Sequence, residues 1–153
     1  MWRTPKIDWE IKPKVNGLYN GDWFNVDPDY IRITDNLRYL RIVGQNVYGV
    51  TLPSVTMIEQ TLDYYPNADV LNAIESNLLS IIQGSYYPAA YTGKKTWLDN
   101  GPTPTVDDLN RIERSCAELL AKYNETPLEV FIPNGSDALI TSGGDNFMVR
   151  RAI

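Results

Sequence analysis

Apolar residues return with a helical period in three stretches of this chain. Tyr30, Ile33, Leu37 and Leu40 fall at i, i+3, i+7 and i+10, which is one face of a helix over 28–41. Leu71, Ile74, Leu78 and Ile81 repeat that spacing over 69–82. Leu109, Ile112, Cys116 and Leu119 do so again over 106–120. Each stretch opens on capping chemistry. Asp27 precedes Pro28 at a first helical position, Asn67 follows Pro66, and Thr105 with Asp108 forms a capping box. Gly44 and Gly84 are the expected stops of the first two helices.

Aligned on Ile33, Ile74 and Ile112, the stretches agree beyond periodicity. Asn36 matches Asn77, with Ser115 in the third copy. Asn72 matches Asn110, where the first copy has Ile31. The isoleucines are 41 and 38 residues apart. A repeat of that length can mark a solenoid, but three copies with unequal connectors predict a small bundle with a shared docking rule. Any three capped amphipathic helices share some of these features, and early acids serve the helix dipole without a further role.

Between the helices the pattern loses its period. Residues 1–26 space Trp2, Trp9, Tyr19, Trp23 and Phe24 with Pro, Lys and Gly, as in an extended arm that wraps its own domain or docks on a neighbour. Val47–Val50 read as a short extended piece, and 54–62 as a short helix after Pro53, with a strand as the alternative. Tyr86, Tyr87, Tyr91 and Trp97 crowd the connector over 85–104, which closes on an Asn100-Gly101 turn. The C-terminal end changes character. Residues 128–133 and 138–141 are β-like runs around a polar turn at 134–137, with Phe131 and Ile140 among their apolar residues, and 147–150 can add a third short strand after Gly143-Gly144. The expected architecture is mainly α: three similar amphipathic helices, long aromatic-rich connectors and a small C-terminal β-hairpin, an α+β chain overall. Its parts are an N-terminal arm over 1–26, a three-helix module over 27–125 and the hairpin over 126–153.

Composition narrows the chemistry. The chain has 153 residues, a net charge of -5, 10 Tyr, 4 Trp, one Cys and no His. The acidic balance argues against a nucleic-acid partner. No apolar run approaches the ~20 residues of a membrane span, and the N-terminus lacks a signal-peptide core. Without histidine there is no Ser-His or Cys-His pair and no zinc site of the common kind. Gly93-Lys94-Lys95-Thr96 lacks the upstream glycine of a phosphate loop. The acids at 27, 29, 107 and 108 read as helix caps rather than paired catalytic carboxylates, and Cys116 as a small core residue. No catalytic, cofactor or metal residue is expected.

The opening Met1-Trp2-Arg3-Thr4-Pro5-Lys6-Ile7-Asp8-Trp9, with Asp22-Trp23-Phe24-Asn25 and Asp29-Tyr30-Ile31-Arg32-Ile33, resembles small minor structural proteins encoded with tail genes in phages and prophages of Gram-positive bacteria. The run from Thr96-Trp97 to Leu109-Asn110-Arg111-Ile112-Glu113 is similar to a segment of many phage tail-fibre and baseplate proteins. The resemblance covers roughly residues 1–120 and departs from the pattern at Ile31, where asparagine is usual. It implies a non-enzymatic virion protein at the tail tip, baseplate or fibre attachment, assembled in the bacterial host cytoplasm. Its partners would be other virion proteins and copies of itself, not nucleic acid or membrane. The interface candidates are Trp2, Trp9, Trp23, Phe24, Tyr86, Tyr87, Trp97, Phe131 and Ile140. An alternative is a host-surface carbohydrate-binding module, with Tyr86, Tyr87, Tyr91 and Trp97 stacking on cell-wall glycan.

Overall fold

The structure, a computed structural model, describes residues 1–60 and 67–125, together with the backbone of 130–132 and 149–151. Three helices dominate: α1 (Ile31–Tyr48), α2 (Ala68–Gln83) and α3 (Val106–Glu125). Each packs on the other two. The three periodic faces meet at the centre, where Ile33, Leu37, Leu40, Ile74, Leu78, Ile81, Ile112, Cys116 and Leu119 are all buried. Burying one such aliphatic side chain stabilises the fold by about 1.5–3 kcal/mol, so these faces hold the bundle together.

Two of the three helix starts follow their caps. Asn67 accepts the Val70 N–H on its side chain at 3.1 Å. Thr105 accepts the Asp108 N–H at 3.3 Å, while the Asp108 carboxylate takes the Thr105 N–H at 3.0 Å. The first start differs. Val26–Tyr30 forms a wide turn ahead of α1, containing the cis Asp27–Pro28 peptide, and the Tyr30 N–H reaches back to the Asn25 carbonyl. Asp27 caps nothing there; Asp29 does the related work, accepting the Asn25 N–H at 2.9 Å.

Gly44 does not end α1. The helix runs on to Tyr48 and stops at Gly49, whose φ of +64° is the left-handed conformation glycine favours. Gly44 is instead a close-approach site: a Cβ there would stand 2.9 Å from the Tyr123 hydroxyl. Val47 and Tyr48, expected to be extended, are therefore the last turn of α1. The third helix continues to Glu125 and so carries Tyr123 into the core.

Two further expectations are corrected. Residues 54–60 form no helix, and the N–H and carbonyl of Thr56 are instead engaged by a side chain of α2. The C-terminal hairpin is not supported. Val130–Ile132 pairs in parallel with Val149–Arg151, an arrangement that a four-residue turn cannot close. The expected turn and second arm, with Ile140, lie outside the described residues.

Candidate assembly surface

The asparagines singled out by the helix alignment share one structural task. Asn36 on α1 accepts the Arg3 N–H at 2.7 Å and donates to the Arg3 carbonyl at 2.8 Å. Asn110 on α3 does the same to Trp9, both bonds at 3.0 Å. Asn72 on α2 grips Trp97 at 2.8 and 2.9 Å. Asn77, also on α2, grips Thr56 at 3.1 and 2.8 Å. A carboxamide has one acceptor and one donor at the spacing of a peptide edge. Each of these therefore acts as a single extra rung of β-ladder, offered by a helix to an extended segment.

The clamps have a cyclic order. The segment 3–9 runs from Asn36 on α1 to Asn110 on α3. The segment leading to Trp97 ends on Asn72 of α2 and is tied to α3 further back, where Ala90 donates its N–H to Glu118 and Arg111 donates to the Gly93 carbonyl; the α3 position that matches Asn36 in the helix alignment is Ser115. Ser115 carries no amide, and its hydroxyl donates to its own helix at Arg111 O, at 2.7 Å. The segment through Thr56 is held by Asn77, and the matching position across its groove is Ile31. The chain is thus three units of extended segment plus helix, closed around a common core.

Buried ion pairs repeat the same order. Arg32, just before Ile33, meets Glu113, just after Ile112, at 2.6 Å, and also Asp29 at 2.9 Å. Arg111, just before Ile112, pairs with Glu75, just after Ile74. The third place in the ring holds Ala73 and Thr34, which cannot pair. Glu75 and Glu113 are fully buried, so each relies on its arginine. Burial pushes the Glu113 carboxyl above its ordinary value, with Arg32 pulling against it. Burial also acts to raise Asp108, but Lys95 and the Thr105 N–H and hydroxyl outweigh it and hold that carboxyl below its ordinary value. These charges serve the fold. Cys116 is equally internal, and burial pushes its thiol upward, away from reactivity.

The predicted interface residues divide sharply. Trp9 and Trp97 are buried as matching anchors of their segments, each beneath a lysine: Lys6 lies 4.7 Å from the Trp9 ring and Lys95 5.8 Å from the Trp97 ring. Trp2 is half-buried against Tyr39, and Phe24 packs near Trp9. Tyr86 and Tyr87 are exposed, but Tyr91 is buried, so the four aromatics of the expected sugar platform do not share one open face. Trp23 is 59% exposed and stands edge-on to Tyr19, their centroids 4.8 Å apart. Phe131 lies in the strand of which only the backbone is described.

What sequence reasoning missed is the loop over 10–22. Its base is closed by Asp22, which donates its N–H to the Glu10 carbonyl at 3.2 Å and accepts the Glu10 N–H at 3.0 Å. Lys6 adds an ion pair to Asp22 at 2.9 Å. The tip is a tight turn, Val15 to Leu18, with Asn16 and Gly17 at positive φ. Ile11, Val15 and Leu18 on this loop are all more than half exposed. The signal was present as apolar residues alternating with lysine around Asn16-Gly17, a hairpin signature. Beside the loop base, Tyr19, Trp23, Phe24, Leu71, Pro104 and Leu109 line a cleft of about 440 Å³. A second cleft of about 370 Å³ adjoins it along 97–104 and shares Leu71 and Pro104.

Among the described residues, no group of three His, Cys, Asp or Glu side chains is placed to hold a metal ion, and no helix is long and apolar enough to cross a membrane. No family model matches the chain, and neither a curated protein nor a solved structure matches it.

Proposed function

We propose that this chain is a structural subunit of a tailed phage or phage-like particle, placed at the tail tip, baseplate or fibre attachment, and that it acts by protein–protein assembly rather than catalysis. One observation carries the reading: apolar side chains are spent on the surface while charged ones are spent inside. Arg32, Arg111, Glu75 and Glu113 are consumed in fixed internal pairs, whereas Ile11, Val15 and Leu18 on one loop, and Trp23 just past its base, face solvent. A patch of that kind marks a surface to be covered.

The resemblance to tail-associated proteins supplies the particle. In one run that carries it, Leu109-Asn110-Arg111-Ile112-Glu113, the asparagine is a clamp and the glutamate half of an ion pair, while the residues between them supply an ion pair and a core side chain. Such a motif specifies a fold and brings no active site with it. The glycan-binding alternative keeps only Tyr86 and Tyr87 as accessible members of its aromatic set. The test is the composition of purified particles by mass spectrometry. The chain is expected in the tail fraction at a copy number fitting a ring or trimer; its absence from particles refutes the proposal.

A further inference from the structure

We infer that residues 54–60 form a strap that lifts off the groove between α1 and α2 on its own, while the segments in the other two grooves stay closed. The inference is independent of the assembly reading. The three grooves correspond by their cyclic order, so their fastenings can be compared place by place. The segment 3–9 is clamped at both ends, by Asn36 and Asn110, and the helices it bridges share the buried Arg32–Glu113 pair. The segment 90–97 is bonded to Glu118, Arg111 and Asn72, and its helices share the buried Arg111–Glu75 pair. Each segment ends on a buried tryptophan, Trp9 or Trp97.

The strap is fixed at its start and loose beyond it. Leu52 is buried, donates its N–H to the Gln45 side chain at 2.9 Å and accepts from Arg41 at 3.0 Å, which makes it the pivot. Asn77 then holds Thr56, but its amide N–H groups are shared with the Ala73 carbonyl of its own helix and the Met57 sulfur. That clamp is exposed, whereas the one on Trp97 is partly buried, so water competes for it. Ile31 stands where the other grooves have Asn72 and Asn110, and among the described residues no ion pair joins α1 to α2. Past Thr56 the Tyr30 hydroxyl donates to the Ile58 carbonyl. Met57 is half-buried against the core, and none of residues 57–60 is buried. Between them and α1 lies a cavity of about 240 Å³, lined by Tyr30, Ile31, Thr34, Arg38, Met57 and Ile58, so packing there is incomplete. Few buried contacts and exposed hydrogen bonds are what place a segment at the low end of local stability. Two grooves are thus locked and one opens, so the bundle can change shape along the α1–α2 face without unfolding.

The experiment is thiol labelling of the full chain under native conditions. Thr34→Cys is close to isosteric and puts a thiol beneath the strap, at a position now 6% exposed. Ser115→Cys puts one at a buried position of α3, which does not border the strap's groove. The native Cys116 is buried and reports opening of the core in every sample. The Thr34→Cys thiol should react at least ~100-fold faster than Cys116 or Ser115→Cys, at a rate that urea below the unfolding transition leaves unchanged, as for a local opening. Adding Asn77→Ala should raise that rate at least ~10-fold and leave Cys116 as it was. If Thr34→Cys fails to fold, hydrogen exchange in the wild type makes the same comparison, because the Thr56 and Trp97 N–H groups are each held by one carboxamide. Thr56 should then exchange at least ~100-fold faster than Trp97 after correction for intrinsic rates. A Thr34→Cys thiol that reacts no faster than Cys116, with a rate that rises in urea, overturns the inference. So does a Thr56 N–H as well protected as that of Trp97.

Discussion

Asn110→Ala removes both hydrogen bonds that hold the Trp9 peptide to α3, each 3.0 Å long. A hydrogen bond contributes about 0.5–1.5 kcal/mol net, and a buried group left without its bond costs about 1–3 kcal/mol. The Trp9 side chain is buried while its peptide lies at the edge of the groove, so water meets part of the lost demand. The expected loss is about 2–4 kcal/mol, a large share of the ~5–15 kcal/mol total for a domain. In a chain of this size that lowers the melting temperature by about 4–16 °C. The effect should also be local. Hydrogen exchange should speed up at Trp9 and its neighbours before it does so in α2, because the segment 3–9 detaches at one end while Asn36 still holds Arg3 at the other. Urea unfolding gives the global figure, and exchange read by mass spectrometry gives the location. A loss below about 0.5 kcal/mol with unchanged exchange over 1–10 would refute the clamp argument.

Other outcomes follow from the same geometry. Glu75→Ala strands the buried Arg111 guanidinium and should cost about 3–5 kcal/mol in urea unfolding, whereas the more exposed pair Lys122–Glu125 should be neutral to removal. Thr34→Glu alone places an unpaired acid in the vacant third position, and Ala73→Arg beside it should recover most of the loss. A double-mutant cycle with no coupling beyond about 0.5 kcal/mol would contradict the cyclic order. Gly44→Ala should destabilise by about 1–3 kcal/mol, because its Cβ meets Tyr123, whose hydroxyl is already held by Ser85 at 2.6 Å. Asp108 has a folded-state pKa below its ordinary 3.8, so its stabilising contribution is present above that value and lost as pH falls through the folded one. The stability gap between wild type and Asp108→Asn should therefore be widest near neutrality and close in acid; a pH-independent gap would reject the Lys95–Asp108 pairing.

Much of the bundle was legible from the period of apolar residues. The three faces, the Asn67 and Thr105 starts and the matched asparagines all follow from spacing, and local capping chemistry enforces the first two. The errors have physical causes. Gly44 looks like a stop because glycine lacks helix propensity, yet it remains helical where another side chain needs its missing Cβ. The stretch 54–60 carries apolar residues, but its peptide bonds find a partner in Asn77, which lies far along the chain. Trp9 and Trp97 suggested exposed anchors because sequence gives amphipathic bulk without direction. Only the clamps six residues beyond Arg3 and at Asn72 show that both point inward. The exposed tryptophan, Trp23, gains its meaning from a loop whose closure by Glu10 and Asp22 is a tertiary fact.

The most direct test of the central claim is an image of the intact particle at a resolution that separates helices. The three-helix ring should fit density in the tail at a symmetric set of positions, with residues 10–23 of each copy covered by a neighbouring subunit. Density that accommodates no such ring, or a ring whose 10–23 loops all face solvent, would contradict the account.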